Sequence, residues 1–382
     1  MNILLAPDSF KGSLTATQVS QIMKTAIEDT EESCNIIKKP MADGGEGILD
    51  TLLSSNRGTA ISVHCSNALG NKVKTSYGII KESIAVIETA KIIGLPEVPY
   101  NKRNIDNTTT FGIGEVIIDA LDRGCTSFII GLGGSATNEG GIGMFQALGA
   151  KFYNEVGGEI GPYGKDLLDF HDVDFKLLDP RLKKASFQIA SDVSNTLYGK
   201  FGATFVYGPQ KGMMKEQLQK YDDAMKHFSK TLDKNNSFFE VQGSGAGGGL
   251  GFAFLFMGAQ LSKGAKLVAE SIQLEATLKK ADLIITGEGM TDQQTIKFGK
   301  TADFVGKLAK KHNIPILLIS GSLQGDMNTL RESFDGCFSI INSPLSLEDC
   351  IINSEQLLYE QTKNVMHFMK TIKDIKEAAE FE

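Results

Sequence analysis

The chain has 382 residues, which is enough for two domains of ordinary size. Its 39 basic and 46 acidic residues leave a net charge of −7, and that balance provides no basic face for nucleic acid. The five cysteines form no CxxC pair, the N-terminus lacks a secretory leader, and no apolar run approaches the ~20 residues of a membrane span. We therefore expect a cytoplasmic protein that binds neither nucleic acid nor a membrane.

The first 60 residues alternate between strand and helix patterns. An apolar run at 3–6 predicts a strand, and the apolar spacing over 19–27 predicts a helix that starts with a capping box at Thr15. The scheme repeats with a strand at 36–37 and a second amphipathic helix. Two strand–loop–helix units in succession indicate an α/β arrangement.

The middle of the chain has a different texture. Short β segments at 61–63, 74–77 and 85–87 follow one another without helices, which predicts antiparallel pairing. Further apolar strands, with helices between them, are predicted at 128–130, 187–190 and 204–206.

The C-terminal third returns to alternating strands and helices. Strands are predicted there at 283–285, 314–319 and 337–341. We therefore predict two α/β domains. One is Rossmann-like, with a parallel sheet built from both chain ends, residues 1–60 and 281–382. The other is an inserted α/β domain with a mixed sheet, residues 61–280.

Glycine is unusually frequent, at 41 of the 382 residues, and 17 of these are concentrated in four stretches. The stretches are 44–47, 131–143, 243–251 and 287–289. Each follows a strand-like run, so in a parallel sheet each would lie at the carboxyl edge, where ligands bind. For 243–251, a packing role and a ligand-binding role are equally open.

The second glycine-rich stretch indicates a phosphate site. Ser135, Thr137 and Asn138 follow Gly133 and Gly134, so that hydroxyls and backbone N–H groups could hold a phosphate together. Dinucleotide binding is disfavoured, because no acidic residue closes a second strand about 20 positions later.

Carboxylates are frequent in the loops predicted at the carboxyl edge of the Rossmann-like domain. These loops carry Asp8, Lys11, Asp43, Glu46, Glu288 and Asp292. Asp43 and Glu46 have a spacing that suits one magnesium ion or one hydroxyl-bearing ligand. For Glu46 alone, capping of the following helix is the plainer interpretation. Asp192 adds a carboxylate after the strand at 187–190.

Six motifs, in order along nearly the whole chain, resemble those of the type I glycerate kinase family. They are PDSFKGS at 7–13, PMADGGEG at 40–47, GLGGSATN at 131–138, SDVSN at 191–195, GPQKG at 208–212 and DLIITGEG at 282–289. The resemblance implies an enzyme that phosphorylates D-glycerate with ATP and Mg²⁺, with 2-phosphoglycerate the favoured product. It also implies an active site in the cleft between two α/β domains, and it leaves a homodimer open.

The residues and the resemblance together suggest roles, which are hypotheses at this point. The proposed catalytic residues are Asp192, which accepts the substrate proton, Lys11, which neutralises the transferring phosphoryl group, and Asp8. The expected substrate ligands are Ser9, Asp43, Glu46 and Glu288, and Asp43 and Glu288 are also the expected magnesium ligands. The expected nucleotide-phosphate ligands are Gly133, Gly134, Ser135, Thr137 and Asn138.

Two alternative functions stay open. The first is a kinase of another small hydroxy acid, since no motif measures the size of the substrate. The second is a catalytically inactive regulator that binds a nucleotide or a sugar acid. Its only support is Met290, which stands where the family usually has an arginine.

Overall fold

The computed structural model describes residues 1–292 and 300–380, the last five of these by their backbone alone. The helices of that part are α1 Ala16–Glu28, α2 Ile48–Asn56, α3 Ala90–Ile93, α4 Phe111–Asp122, α5 Ile142–Ala147, α6 Ala203–Tyr207, α7 Leu218–Leu232, α8 Ala246–Phe256, α9 Gly264–Ser271, α10 Leu274–Leu278, α11 Thr301–Lys311, α12 Met327–Ser333, α13 Leu347–Ile352 and α14 Ser354–Glu380. The strands are β1 Asn2–Leu5, β2 Asn35–Lys38, β3 Thr59–Ser66, β4 Lys72–Ile80, β5 Ile84–Glu88, β6 Ser127–Gly131, β7 Lys151–Tyr153, β8 Asp172–Asp174, β9 Ser186–Ala190, β10 Gln260–Ser262, β11 Leu283–Thr286, β12 Met290–Thr291, β13 Ile316–Ser320, β14 Ser322–Leu323 and β15 Gly336–Ser339.

The chain forms two compact units. The first unit contains Met1–Asp43 and Val268–Glu382, and the second contains Gly44–Leu267. The second unit therefore begins earlier than the sequence pattern suggests, because α2 packs on β4 and β5 of the inserted sheet. The first unit in turn includes the segment before β11, where the Lys39 ammonium donates to the carbonyl oxygen of Ile272 at 2.7 Å.

The first unit is built on a five-stranded parallel sheet made from both ends of the chain, as the sequence pattern predicts. Its strand order is β15-β13-β11-β1-β2. The strand β11 is buried along its whole length, as expected of a parallel sheet with both faces covered. The helix α1 packs against α14 and starts with the predicted capping box, in which Thr15 and Gln18 exchange hydrogen bonds.

This strand order places a topological switch point between β1 and β11. From β1 the chain continues to β2 on one side of the sheet, whereas the later strands β11, β13 and β15 extend to the other side. In open parallel sheets, ligands bind at the carboxyl ends of the two strands that flank such a point. The loops after β1 and β11 are therefore the positions where the fold of this unit favours a site.

The second unit is built on a six-stranded mixed sheet of order β10-β9-β6-β5-β4-β3. The strands β3, β4 and β5 pair antiparallel, as the sequence predicts, and β5, β6, β9 and β10 pair parallel. Its core is rich in phenylalanine, with Phe128 and Phe187 stacked on neighbouring strands at a centroid separation of 4.8 Å. The glycine-rich stretch 131–143 begins at the carboxyl end of β6.

One predicted strand is wrong. Residues 204–206 form part of the helix α6, which follows a turn in which Gly202 donates its N–H to the carbonyl oxygen of Gly199. The run of three β-favouring residues was too short to override that turn.

No helix of the described residues has the length and apolar content needed to cross a membrane.

Candidate active site

The first unit gathers its functional loops at the switch point through backbone hydrogen bonds. Asp8 donates its N–H to the carbonyl oxygen of Gly287 at 2.8 Å, which joins the loops after β1 and β11. The N–H of Met41 donates to the carbonyl oxygen of Pro7 at 2.8 Å, which joins the loop after β2. The loops that the sequence placed at one edge of this sheet are therefore adjacent.

Asp8, Lys11 and Asp43 form an electrostatically coupled cluster in these loops. The Asp8 side chain is buried, and the pKa of its carboxyl group is raised to about 7 by burial and by the neighbouring negative charge of Asp43. The Lys11 ammonium donates to Oδ2 of Asp43 at 2.7 Å, although the lysine side chain is largely exposed. A carboxyl group with a pKa near 7 can exchange a proton at physiological pH, as general acid–base chemistry requires.

Glu288 is held in the loop after β11. The residue is 8% exposed, and its Oε1 accepts a hydrogen bond from the Thr291 hydroxyl at 3.0 Å. The same hydroxyl lies 2.8 Å from Oγ of Ser320, the last residue of β13. The Thr291 hydroxyl, itself in contact with Ser320, therefore helps to orient a buried carboxylate at the carboxyl edge of the sheet.

The acidic residues of this edge offer the oxygen ligands that a magnesium ion prefers. Within the described ranges, no group of three or more His, Cys, Asp or Glu side chains is arranged to hold a metal. Magnesium usually takes only one or two carboxylates from the protein and completes its octahedron with waters and substrate phosphates. The negative charge of Asp43 adds to burial in raising the pKa of Asp8, and a divalent cation bound nearby would relieve that repulsion.

Glu46 is exposed and does not cap α2, contrary to the plainer interpretation of its position. The helix starts at Ile48, and the buried Glu88 accepts hydrogen bonds from the N–H groups of Gly47 at 3.1 Å and Leu49 at 3.3 Å. A carboxylate from β5 thus supplies the stabilisation that a local acid was expected to supply.

Asp192 lies at the carboxyl end of β9 in the second unit, as predicted. It is exposed, and its Oδ1 accepts a hydrogen bond of 3.0 Å from the N–H of Gly264, the first residue of α9. A carboxylate in this position favours the start of a helix. Asp192 therefore helps to stabilise the start of α9, a role that the sequence did not reveal.

The glycine-rich stretch of the second unit exposes a row of backbone donors. In the described part of the chain, no group accepts a hydrogen bond from the N–H of Gly133, Gly134, Ser135, Thr137 or Asn138. Ser135, Thr137 and Asn138 are nevertheless buried. Several unpaired N–H groups in one short loop are suited to an anion that supplies the acceptors.

Glu139 fixes the far end of this loop. Its carboxylate is fully buried and accepts hydrogen bonds from the N–H groups of Thr110 at 2.8 Å, Gly141 at 2.6 Å and Gly143 at 3.3 Å, and from the Thr110 hydroxyl. Burial raises the pKa of this carboxyl group, and the hydrogen bonds act in the opposite direction. The network ties the loop to the starts of α4 and α5.

Lys211 contacts this loop, and the sequence analysis assigned it no role. The residue is 4% exposed, and its ammonium donates to the carbonyl oxygen of Thr137 at 2.7 Å and to Oγ of Ser135 at 3.3 Å. It is 74 positions from Thr137 along the chain, so no local spacing connects them. The available signal was the lysine of the motif GPQKG at 208–212, which is one of the six family-like motifs. The motif alone did not indicate what that lysine does.

The stretch 243–251 packs against the glycine-rich stretch 131–143. Gly247, Gly248 and Gly249 are consecutive residues in the left-handed region, with φ values of 63°, 70° and 98°. A Cβ atom on Gly248 would overlap the carbonyl oxygen of Thr137, and the Gly248 carbonyl accepts the N–H of Gly140 at 3.0 Å. Bare backbone is needed here because two loops are in direct contact.

Comparison with known proteins agrees with this arrangement. A model of the glycerate kinase family matches residues 3–370. A glycerate kinase of Bacillus subtilis is 39% identical over 378 residues, which is 98% of this chain and 99% of the relative. A glycerate 2-kinase of Escherichia coli K12 is 38% identical over 96% of this chain and 97% of its own.

The fold matches a solved structure over the same extent. A crystal structure assigned to glycerate kinase 2 of Salmonella typhimurium LT2 superposes with a TM-score of 0.88 at 36% identity, covering 98% of this chain and 99% of that chain. Both comparisons span the two units and the loops described above. The chain belongs to the glycerate kinase family.

Proposed function

We propose that this chain is an ATP-dependent kinase that, with Mg²⁺, phosphorylates D-glycerate to 2-phosphoglycerate. Its relatives at 38–39% identity carry the names glycerate kinase and glycerate 2-kinase, which supports the substrate and the position of transfer. The observation that carries the proposal is the cluster of Asp8, Lys11 and Asp43 at the switch point of the first unit. Its five cysteines are free thiols, which supports the cytoplasm as its compartment.

Asp8 is the residue that we propose as proton acceptor. The glycerate hydroxyl oxygen attacks the terminal phosphorus of ATP, its proton passes to the Asp8 carboxylate, and the bond to the bridging oxygen breaks to release ADP. A base is most effective when its pKa lies near the working pH, and the pKa of Asp8, about 7, meets that condition. We favour Asp8 over Asp192, the acceptor proposed from the sequence, because the Asp192 carboxylate accepts the first N–H of α9.

Lys11 and the remaining acids of the first unit bind and neutralise. The Lys11 ammonium, held by Asp43, stabilises the negative charge of the transferring phosphoryl group. Asp43 and Glu288 are the carboxylates that would hold Mg²⁺. The ion would supply further neutralisation of the phosphate oxygens. Ser9 and the exposed Glu46, together with Asp43 and Glu288, are proposed as ligands of glycerate.

The nucleotide phosphates bind to the loop of the second unit. The N–H groups of Gly133, Gly134, Ser135, Thr137 and Asn138 lack acceptors among the described residues, which is the support for this assignment. Because phosphoryl transfer relies on positioning and charge neutralisation, such a loop contributes without any covalent chemistry.

Coupled ADP release on a panel of hydroxy acids tests the proposal. D-glycerate should give the highest kcat/KM, with glycolate, L-lactate and tartronate at least about tenfold lower, a difference of ~1.4 kcal/mol in transition-state binding. Preference for another acid would favour the alternative kinase. Tight ATP binding without release of ADP from any acid would favour the inactive regulator.

A further inference from the structure

Lys211 is a buried cation that lacks an ion-pair partner in the part of the chain that the structure describes. The residue is 4% exposed, and its two hydrogen-bond acceptors, the Thr137 carbonyl and the Ser135 hydroxyl, are both uncharged. Glu139 is the charged side chain that acts on it, from beyond ion-pair distance. Burying a charge without a counter-charge is costly. A bound anionic ligand would supply the counter-charge that Lys211 lacks.

The hydrogen-bonding capacity of Lys211 is also incomplete. An ammonium group has three donors, and the described residues accept two of them. Both acceptors belong to the loop whose N–H groups at Gly133, Gly134 and Thr137 are themselves unpaired in the described residues. The unpaired donor of Lys211 and the unpaired N–H groups are therefore associated with the same short stretch of loop.

Asn138 adds a third unfilled position to this stretch. It is fully buried, its Nδ2 lies 3.1 Å from Oγ1 of Thr204, and its Oδ1 has no hydrogen-bond partner in the described residues. Rotation of the amide by 180° preserves the contact, because the Thr204 hydroxyl can donate as well as accept. The rotated amide then presents Nδ2, a donor, at the unfilled position.

We propose that Lys211 completes a phosphate site in the second unit, in which its third hydrogen is donated to a phosphate oxygen of ADP or ATP. The other two hydrogens hold Ser135 and Thr137, so that the same ammonium shapes the loop and neutralises the bound nucleotide. The inference rests on the proposed use of ATP and adds the cation that this use requires.

The proposal makes nucleotide binding sensitive to alkaline pH. Burial lowers the pKa of Lys211 to about 8, and the negative charge of Glu139 opposes that decrease. Raising the pH from about 7.5 to about 9.5 therefore removes the proton from the free enzyme, and the Kd for ADP should increase more than about tenfold. Arginine stays charged over this range, so Lys211→Arg should show little change.

Isothermal titration with ADP, and with adenosine as a probe that lacks phosphate, tests the site directly. Lys211→Met should weaken ADP binding about 10- to 100-fold, the usual effect of losing one charge-assisted hydrogen bond. Adenosine binding should change less than about twofold, because it offers no phosphate oxygen. Lys39→Met is the matched control, since Lys39 is half-buried and donates to a backbone carbonyl in the first unit.

A folded Lys211→Met protein with ADP affinity within about threefold of the wild type would overturn the proposal. A variant that loses affinity for 2-phosphoglycerate but keeps its affinity for ADP would also overturn it. If that variant does not fold, the pH profiles decide. A wild-type affinity for ADP that falls above about pH 8, while the affinity of Lys211→Arg stays level, supports the site, and parallel profiles overturn it.

Glycerate turnover by the wild type is measured separately. Turnover without Lys211-dependent ADP binding defeats this inference alone, and Lys211-dependent binding without turnover defeats the proposed function alone.

Discussion

The Lys11 ammonium lies 2.7 Å from Oδ2 of Asp43, and the charge of that same Asp43 helps to raise the pKa of the buried Asp8. One carboxylate is thus paired with a cation while its neighbour is poised to carry a proton. Two nearby carboxyl groups in such different environments are common at sites of acid–base catalysis. The following predictions test this pairing and the loops that surround it.

Replacement of Asp8 by asparagine should lower kcat at least about 100-fold, because the proposed proton acceptor is lost. Wild-type kcat/KM should fall as the pH drops below about 7, the pKa of the Asp8 carboxyl group, whereas the residual activity of the variant should lack this acidic limb. Steady-state assays between pH 5 and pH 9 measure both. Asp192→Asn is the comparison, and a larger loss in that variant would return the proton-acceptor role to Asp192.

The same Asp8→Asn change should stabilise the protein at alkaline pH. The pKa of Asp8 is raised in the folded state, so the stability contributed by its proton is present below its unfolded pKa and is lost as the pH rises through about 7. The asparagine variant has no such loss. Its advantage in free energy of unfolding should therefore grow by about 2 kcal/mol between pH 5 and pH 8. Urea denaturation at the two pH values measures it, and an advantage that shrinks toward pH 8 would refute the raised pKa.

Addition of Mg²⁺ should increase thermal stability at pH 8, because a divalent cation relieves the repulsion between Asp8 and Asp43. At pH 5 the Asp8 carboxyl group is protonated and the increase should be smaller. The Asp43→Asn variant should respond weakly at both pH values. A melting temperature that rises equally in the variant and the wild type would indicate that the ion binds elsewhere.

Glu88 and Glu46 should differ in what they control. Glu88→Ala removes the acceptor of two N–H groups at the start of α2, and should lower the free energy of unfolding by about 1–3 kcal/mol. Glu46→Ala, at an exposed position, should leave stability within about 0.5 kcal/mol and raise the KM for glycerate. Urea denaturation and steady-state kinetics on both variants measure the contrast, which would disappear if Glu46 were the residue that caps α2.

Alanine at Gly248 should be much more damaging than alanine at Gly258, although both glycines have left-handed backbones with φ values of 70° and 85°. A Cβ on Gly248 would overlap the Thr137 carbonyl, whereas a Cβ on Gly258 meets no atom within 4 Å among the described residues. We expect a loss of about 1 kcal/mol at Gly258 and about 3 kcal/mol or more at Gly248. Gly248→Ala should also weaken ADP binding. Equal losses would show that the two loops do not depend on one another.

The sequence alone predicts the elements that local pattern controls. Apolar runs and helical spacing indicate the parallel sheet of the first unit, and the residues that follow each strand then place Asp8 and Glu288 at one edge. The exception is the stretch 204–206, where a run of β-favouring residues was too short to distinguish a strand from a helix.

Relationships between distant segments could not be predicted in the same way. Glu88 caps a helix that begins 40 positions earlier in the chain, at Ile48, and Lys211 supports a loop 74 positions away. Side-chain direction and burial decide these contacts, and neither follows from spacing in one dimension. The raised pKa of Asp8 has the same origin, because it depends on the proximity of Asp43 in the folded unit.

Phosphorus NMR of the product formed from ATP and D-glycerate tests the central claim most directly. A phosphate ester at C2 is coupled to one carbon-bound hydrogen, and an ester at C3 is coupled to two. The account predicts a new doublet that grows as ADP appears, and its loss in Asp8→Asn. A triplet from a C3 ester, or the absence of any new phosphate ester, would contradict it.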